Sequence, residues 1–377
     1  MRFATKYKGS SILNLHATQV HSMENSTLDK ELSLFQKHVT DRFNELSLVS
    51  NDNLLSLSWV SKLLDTFLCC QEEFKMILHN HRSMVCKPPL DRLVNDFYER
   101  SVKALEVCNA IRDGVEQIRQ WEKSLEIVLC ALDHKRIIGE GQFRRAKKAL
   151  VDLEIGMIDA SSKDSNNVSS FGNRNRSFGR NNVNGDKGNW SAAKQLQAIG
   201  THLCFPKSNE LVATNGLAST IYTMSSILLF TMWSLVAAFP CQDRELNLNF
   251  SVPRQLQWAA PVISLHVRML GKSKKREMKS CCGLLREIQE IEKCARGMNE
   301  LADSVEFPLS EEKEEELRVK VADVVIVCES LKDGLDPFVI QVREVFHRIV
   351  RGRMEGLDCL CLRVIKTLDL DAIILME

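Results

Sequence analysis

The longest uncharged stretch of the chain constrains its fold most. Residues 211–242 contain no charged side chain, and their densest apolar part is 217–239. That part is long enough to cross a bilayer, since a spanning helix needs about 20 mainly apolar residues. Hydroxyl groups such as Thr220 and Ser234 dilute it, and its nine Leu, Ile, Val and Phe residues favour insertion by only about 3 to 5 kcal/mol. The stretch therefore predicts either a single membrane span or the buried central helix of a large bundle, which is equally apolar all round.

Composition is that of a folded protein without a dominant charge. Hydrophobic residues make up 44% of the 377 residues and charged residues 26%, which excludes wholesale disorder. Lys and Arg number 50 against 49 Asp and Glu, so no global field attracts nucleic acid. The 13 cysteines are an odd number scattered through helical segments, as at Cys108 and Cys328. They indicate reduced thiols packed as small hydrophobes rather than a disulfide framework.

Apolar residues recur every three or four positions in the first half of the chain. A first helix is predicted from Ser26, which stands in capping-box spacing with Asp29, and a second ends before Pro88. Residues 90–132 predict either one very long helix or two stacked helices, with a bend at Gly114. After a turn at 139–141, residues 142–157 are helical again.

The second half continues the same pattern. Helices are predicted at 190–203, in the apolar stretch, and at 274–305, separated by an irregular passage that contains Pro240, Pro253 and Pro261. Ser310 and the glutamates after it predict a helix start, and Asp336 with Pro337 predicts the cap and first turn of a separate last helix. Apart from ambiguous runs such as 246–252, no strand pattern occurs. The fold class is therefore all-α, a bundle of long antiparallel helices interrupted by a linker.

The chain divides into five segments on composition. We expect a disordered N-terminal tail at 1–25, a helical half at 26–158, a disordered Ser/Asn/Gly-rich linker at 159–189, a second helical half at 190–357, and an atypical tail at 358–377. The first 30 residues also loosely resemble a transit peptide, because no acidic residue precedes Glu24. Within the linker, two arginines before Ser177 make it a candidate phosphorylation site.

No residue set predicts catalysis, a cofactor or a metal. His79, His81 and Cys86 straddle a helix end and lack a fourth ligand, so they are interpreted as polar residues at a helix terminus. Cys281 with Cys282, and Cys359 with Cys361, do not form a C-x-x-C pattern; palmitoylation is their minor alternative. The glycines at 139 and 141 lack the rest of a phosphate loop. We therefore predict a protein that is not an enzyme and has no small-molecule substrate.

Two basic clusters allow two interpretations. The first comprises Lys272, Lys274, Lys275, Arg276 and Lys279, and the second comprises Arg343, His347, Arg348, Arg351 and Arg353. Either they are solvated helix faces, or they bind the protein to anionic lipid with a binding free energy of roughly 1 kcal/mol per basic residue. Nucleic acid is not predicted, because aromatic side chains are not interleaved with these charges.

Several longer passages resemble a known plant family. They are LFQKHV at 34–39, KPPLDRL at 87–93, RRAKKAL at 144–150, FPCQDR at 239–244, VPRQ at 252–255, WAAP at 258–261, EIEKCAR at 290–296, GLDP at 334–337 and QVREVFHRIV at 341–350. In this order, they resemble the plant BYPASS-like family, and within it the ROH type. Similar proteins finish soon after the segment resembling 353–357, so nothing is carried over to 358–377.

The resemblance implies a non-enzymatic plant adaptor. ROH-type members are associated with binding an exocyst subunit and with secretion of cell-wall or mucilage polysaccharide. The BYPASS branch offers the alternative of a membrane-associated regulator that restrains a root-derived mobile signal. The expected location is the cytosolic face of a membrane, with a single pass through 217–239 as the other possibility. The resemblance transfers no catalytic or ligand residue.

Overall fold

The chain folds into a bundle of α-helices. The computed structural model describes residues 12–132, 139–161, 191–241, 250–277 and 282–374, and at 12–26, 161, 275–277 and 357–374 it describes the backbone alone. Over these ranges every regular element is a helix, which confirms the all-α class. The helices are α1 (Ile12–Ser47), α2 (Leu57–Asn80), α3 (Arg82–Val85), α4 (Leu90–Ala131), α5 (Glu140–Ser161), α6 (Ala192–Gly200), α7 (Ser208–Ala213), α8 (Leu217–Ala238), α9 (Ala259–Glu277), α10 (Arg286–Ser304) and α11 (Glu311–Ile374).

Serine side chains cap three of these helices at their N-termini. Ser56 accepts a hydrogen bond from the backbone N–H of Trp59, and Ser191 accepts one from Lys194, both at 3.2 Å. Ser310 caps α11 by accepting from the N–H of Lys313 at 3.3 Å, and α11 then opens with acidic residues. Each cap satisfies an N–H group that has no intrahelical partner. The predicted start of α11 is therefore confirmed.

Helix α8 lies at the centre of the bundle. Apart from the half-buried Ser219, every residue from Leu217 to Ala238 is buried, and helices α1, α2, α4, α6, α7 and α9 all contact it. The ring of Phe230 packs against Phe43 and Phe250, each with ring centroids 5.9 Å apart. Within the described ranges, α8 is the one helix long and apolar enough to cross a membrane, and here its surface is covered by protein.

Three of the hydroxyl groups that dilute α8 bond to its own backbone. The side chains of Ser225 and Ser234 donate to the carbonyl oxygens four residues earlier, at 2.9 and 2.8 Å. Thr223 does the same toward Ser219 at 2.9 Å, and its oxygen also accepts from Gln36 Nε2 at 3.0 Å and Trp258 Nε1 at 3.3 Å. Because these three hydroxyls are satisfied, their burial in the bundle carries little penalty, whereas the buried hydroxyls of Thr220 and Thr231 have no partner among the described residues.

A short non-helical segment closes the C-terminal end of α8. The N–H groups of Leu284 and Leu285 donate to the carbonyl oxygens of Ala237 and Ala238, both at 3.0 Å. A Cβ atom at Gly283 would lie 2.4 Å from the oxygen of Ala238, so this approach requires glycine. The prediction of one continuous helix over 274–305 is therefore wrong. Residues 282–285 leave the helical path because their N–H groups satisfy carbonyls of α8 that have no partner in their own helix.

Helices α4 and α11 are both continuous where the sequence suggested breaks. The α4 helix is a single helix of 42 residues, and Gly114 is buried against Pro240, whose oxygen would lie 2.4 Å from an added Cβ. The α11 helix runs through Pro337, so the predicted helix start at Asp336 and Pro337 is wrong. Packing outweighs the hydrogen bond lost at proline: Phe338, next in sequence, is buried and stacks on Phe239 with centroids 4.7 Å apart.

Two further boundaries differ from the expectation. Helix α1 begins at Ile12, so the chain is already helical at Ser26 and the predicted capping box is wrong. Helix α5 ends at Ser161, within the predicted linker, whose remaining residues, 162–189, lie outside the described ranges. Residues 246–249 of the ambiguous run at 246–252 also lie outside them, as do residues 1–11 of the predicted N-terminal tail. The predicted tail at 358–377 continues the backbone of α11 as far as Ile374.

Helices from before and after residues 162–190 share one core. Helix α4 packs against both α8 and α11, and α2 packs against the same two helices. Buried side chains of all these helices belong to a single apolar cluster. The two halves defined by composition are therefore interleaved in space.

Candidate interaction surfaces

The metal-like residues at the end of α2 do not converge. His81 Nε2 lies 2.9 Å from Glu31 Oε2 of α1, whereas His79 is exposed and Cys86 is half-buried. Over the described ranges no three His, Cys, Asp or Glu side chains are placed to hold a metal ion. The pairing of His81 with a glutamate fits a helix terminus fixed by a polar contact.

The buried thiols are poor nucleophiles. Burial raises the pKa of Cys70, Cys108 and Cys328 to about 12, so all three are protonated at neutral pH. Arg42 donates to Cys70 Sγ at 3.9 Å and also pairs with Glu73, and His38 contacts the same carboxylate at 3.0 Å. The thiolate that this arrangement would need for catalysis is suppressed by burial.

Two other buried titratable groups, Glu287 and His266, contact different neighbours. Glu287 accepts the N–H of Leu57 at 3.1 Å to each carboxylate oxygen, and burial raises its pKa. His266 lies against Trp233 with ring centroids 4.4 Å apart, and burial lowers its pKa. Glu287 joins the start of α2 to the start of α10, which makes its role structural.

One residue of the first basic cluster, Lys272, faces the loop between α1 and α2, and Lys274 is exposed. Lys272 donates to the carbonyl of Leu54 at 2.9 Å. Arg268, one turn earlier on α9, donates to Asn51 at 2.8 Å and to the carbonyl of Ser47 at 2.9 Å. These side chains hold the loop between α1 and α2. Lys274 lies on the last part of α9; the side chains of Lys275, Arg276 and Lys279 lie outside the described set.

The second basic cluster is divided between ion pairs and exposed charges. Arg348 contacts Glu72 at 3.3 Å and Glu344 at 2.7 Å, and Arg353 contacts Glu99 at 3.1 Å. The hydrogen bond from Arg348 lowers the pKa of Glu344, and the charges of Arg351 and His347 lower it further. Arg343, His347 and Arg351 are exposed on the outer side of α11. The structure therefore leaves part of this cluster available to a partner.

Helix α5 carries an apolar stripe on its outer side. Val151, Ile155 and Ile158 are spaced four and three residues apart and are all exposed, Ile155 by 52% and Ile158 by 59%. The nearby cation Lys147 pairs with Asp303 of α10 at 2.7 Å. Three branched side chains on one helix face form the kind of surface that packs into the groove of a partner.

A shallow cleft of about 440 Å³ separates α2, α4 and α11. Its lining residues are Gln71, Glu72, Phe74, Lys75, Leu78, Phe97, Tyr98, Arg348, Arg351 and Gly352. Gly352 borders the cleft, and a Cβ added there would meet nothing within 4 Å. Lys75 pairs with Glu355 at 2.7 Å across one side. The cleft combines charged rims with an aromatic floor, and its cations are already largely paired.

These observations define the class of the protein. Over the described ranges it is a single helical bundle that presents apolar and basic surfaces, with its titratable groups dispersed. The chain belongs to the ROH1-like family, whose model matches residues 2–360. The family resemblance seen in the sequence is thereby confirmed, and residues 361–377 of the tail lie beyond the match.

Two plant relatives match almost the whole chain. Protein ROH1D of Arabidopsis thaliana is 54% identical over 387 aligned positions, covering 94% of this chain and 97% of the relative. Protein ROH1A of the same plant is 35% identical, with 96% and 97% covered. No solved structure matches the chain. The protein is therefore a plant protein of the ROH/BYPASS type, a group not named as enzymes.

Sequence reasoning identified the basic residues of α11 but missed two features of the surface. The apolar stripe of α5 was visible as spacing at 151, 155 and 158, yet periodicity alone does not say which apolar face is inward. The role of Arg268 was not visible, because its partners precede it by more than 200 residues.

Proposed function

We propose that this protein is a non-enzymatic adaptor that binds an exocyst subunit and modulates polarised secretion of cell-wall or mucilage polysaccharide. The observation that carries this proposal is the near full-length match to the ROH1-like family. Exocyst binding is the activity that the resemblance to ROH-type proteins implies. Both matching relatives are named ROH1 proteins, which favours this function over restraint of a root-derived mobile signal.

The apolar stripe of α5 is the face that we propose for the exocyst subunit. Ile155 and Ile158 expose branched side chains at a helical spacing, and such side chains anchor helix-to-groove contacts. Gly156, between them, faces inward and lies close to Trp121, so the stripe stands on a rigid contact between α5 and α4. A rigid face lowers the entropy lost on binding.

The test is recovery of exocyst subunits from plant extract on the full-length protein. Ile155→Glu with Ile158→Glu places charges in the proposed contact, and we expect at least about tenfold lower recovery, because truncated or charged anchors typically cost more than 1 kcal/mol each. The matched control is Val212→Glu with Val267→Glu, which changes two apolar residues on α7 and α9 that are at least as exposed as Ile155 and Ile158. Deleting either half is unsuitable, because the halves share one core.

Two outcomes would contradict the proposal. If the unaltered protein recovers no exocyst subunit above a bead control, the adaptor function is wrong. If the α5 variant and the α7/α9 control lose recovery equally, α5 is not the contact face. Thermal unfolding of each variant shows whether the bundle is intact.

We propose association with the cytosolic face of a membrane as the location. Support comes from the exposed cations of α11. The length and apolar composition of α8 leave a single pass through the membrane as the competing arrangement. Carbonate extraction of plant membranes separates the two. Release of the intact protein is expected for peripheral contact, whereas retention in the membrane pellet would favour a span.

A further inference from the structure

The outer side of α11 presents a stripe of cations between exposed apolar side chains. The stripe consists of Ile340, Arg343, His347, Arg351 and Met354, which we name the α11 outer face. Intervals of three or four residues place all five on one side of the helix. At 1.5 Å per residue, the stripe is about 21 Å long. It is therefore a continuous surface rather than a set of scattered residues.

The charge of this face is only partly offset by its neighbours. Glu344 is held by Arg348 at 2.7 Å, and Glu355 is held by Lys75 at 2.7 Å. In the part of the chain whose side chains are described, neither Arg343 nor Arg351 takes part in a direct ion pair. The acidic residues nearest the face are thus already engaged, and two arginines remain exposed, of which Arg351 also borders the cleft between α2, α4 and α11.

Exposed apolar residues lie at both ends of the cations. Ile340 is 65% exposed and Met354 is 64% exposed, and Val350 beside Arg351 is also exposed. Such a combination of arginines and aliphatic side chains is typical of helices that lie in the interface of an anionic bilayer. It is unlike a nucleic-acid surface, where aromatic side chains would stack on bases.

We propose that the α11 outer face docks on the surface of a membrane rich in anionic lipid. Arg343 and Arg351 contact lipid phosphate or carboxylate groups, and Ile340 and Met354 enter the boundary between headgroups and acyl chains. This inference deepens the proposed membrane association and rests on it. It names the partner as the lipid itself.

The same helix also fixes the orientation of the docked protein. The first turns of α11 carry five glutamates against two cations, because Glu314 and Glu315 pair with Arg318 and Glu316 pairs with Lys313, while Glu311 and Glu312 are exposed. The last of the five, Glu316, lies 24 residues before Ile340, or about 36 Å along the helix axis. That distance exceeds the screening length of about 8 Å at physiological salt. An anionic surface therefore attracts the docking end and repels the acidic end without the two effects cancelling.

Flotation with lipid vesicles tests the proposal on the full-length protein. The vesicles contain phosphatidylcholine alone or with 30% phosphatidylserine, at low salt and at 0.5 M NaCl. Each basic residue is worth about fivefold in binding to an anionic surface, so Arg343→Gln with Arg351→Gln should lower binding roughly thirty-fold. The matched control, Arg145→Gln with Lys148→Gln, removes two exposed charges from α5 and should change binding less than about threefold.

A second variant tests the apolar part of the face. Ile340→Ser with Met354→Ser keeps the charge and should lower the binding that persists at 0.5 M NaCl. All variants must unfold at the temperature of the unaltered protein, since these side chains are exposed. Equal binding to both vesicle types, equal loss in the α5 control, or equally effective competition by a DNA duplex would each overturn lipid docking.

Failure here is distinguishable from failure of the adaptor function. Recovery of exocyst subunits from the soluble extract does not depend on vesicles, so Arg343→Gln with Arg351→Gln should recover them normally. If vesicle binding is absent while that recovery holds, lipid docking by α11 is wrong and the adaptor proposal stands.

Discussion

Replacing Thr223 with valine tests whether α8 is held by polar contacts inside the bundle. The threonine hydroxyl accepts from Trp258 Nε1 and Gln36 Nε2 and donates to the carbonyl of Ser219. Valine has nearly the same shape, so the change removes the hydroxyl and leaves no cavity. In a lipid-facing helix the same substitution would raise apolarity and favour the native state.

The expected cost follows from the partners that lose their acceptor. Trp258 is fully buried, and a buried N–H left without a partner costs about 1–3 kcal/mol. Gln36 is half-buried and can turn its amide toward water, so it adds little. We therefore expect Thr223→Val to lower the free energy of unfolding by about 2 kcal/mol, which corresponds to a Tm lower by about 2–4 °C in a chain of this size.

The assay is thermal and urea unfolding of the purified protein, with Thr231→Val as the matched control. Thr231 is buried in the same helix, and its hydroxyl has no hydrogen-bond partner among the described residues. Removing that hydroxyl should leave stability unchanged or raise it by up to about 1 kcal/mol. If Thr223→Val is as stable as the unaltered protein, or if both variants cost the same, the polar attachment of α8 is refuted.

Three further substitutions probe other parts of the bundle. Gly283→Ala should lower the free energy of unfolding by roughly 1–3 kcal/mol, because its Cβ would collide with the carbonyl of Ala238. The control, Gly271→Ala on open surface, should raise the free energy of unfolding by up to about 1 kcal/mol, as measured by urea unfolding. Equal effects would contradict the close approach of Gly283 to α8. Burial lowers the pKa of His266, so its protonation favours the unfolded chain and stability falls as pH drops below about 6.5, the ordinary pKa of histidine. His266→Gln should therefore show a flatter dependence of Tm on pH between 7 and 5. An unchanged slope would mean that other titratable groups cause the pH dependence. Arg268→Ala should speed amide hydrogen exchange in residues 48–55 with a smaller effect on Tm, and unchanged exchange there would exclude Arg268 as the loop's support.

Helices were predictable where one side of a long segment is apolar, as in α2, α4 and the start of α11. The errors lie where tertiary contacts outweigh local signals. Pro337 stays inside α11 because Phe338 is fixed against Phe239, a residue almost 100 positions away. Residues 282–285 leave helical geometry because their N–H groups bond to the end of α8. Neither contact can be read from spacing along the chain.

The nature of α8 was undecidable from composition, because a bilayer and a protein core both select apolar residues. The structure surrounds the helix with six others and gives Ser225, Ser234 and Thr223 acceptors in its own backbone. The interaction surfaces were predictable only as residue types. Whether a cation such as Arg348 is paired or Arg351 is exposed depends on glutamates that other helices bring near.

The bond between Glu287 and Leu57 joins positions 230 residues apart, which has a consequence for synthesis of the protein. At about 5–20 residues per second, a ribosome needs roughly 10 to 50 seconds to add that length. During this interval α2 and α4 have left the ribosome while α8, α10 and α11 are still being made. Their apolar faces are then open to chaperones and to aggregation.

In a chain truncated by a premature stop codon, the same apolar helix faces stay uncovered permanently. A chain that stops in residues 162–190 would contain α1 to α5 without the helices that cover them. We expect such a product to be degraded rather than to keep part of the activity, so stop codons at any position before the core residues of α11 should give the same phenotype. Only a polypeptide that includes α8, α10 and the core residues of α11 can bury the apolar faces of the first five helices.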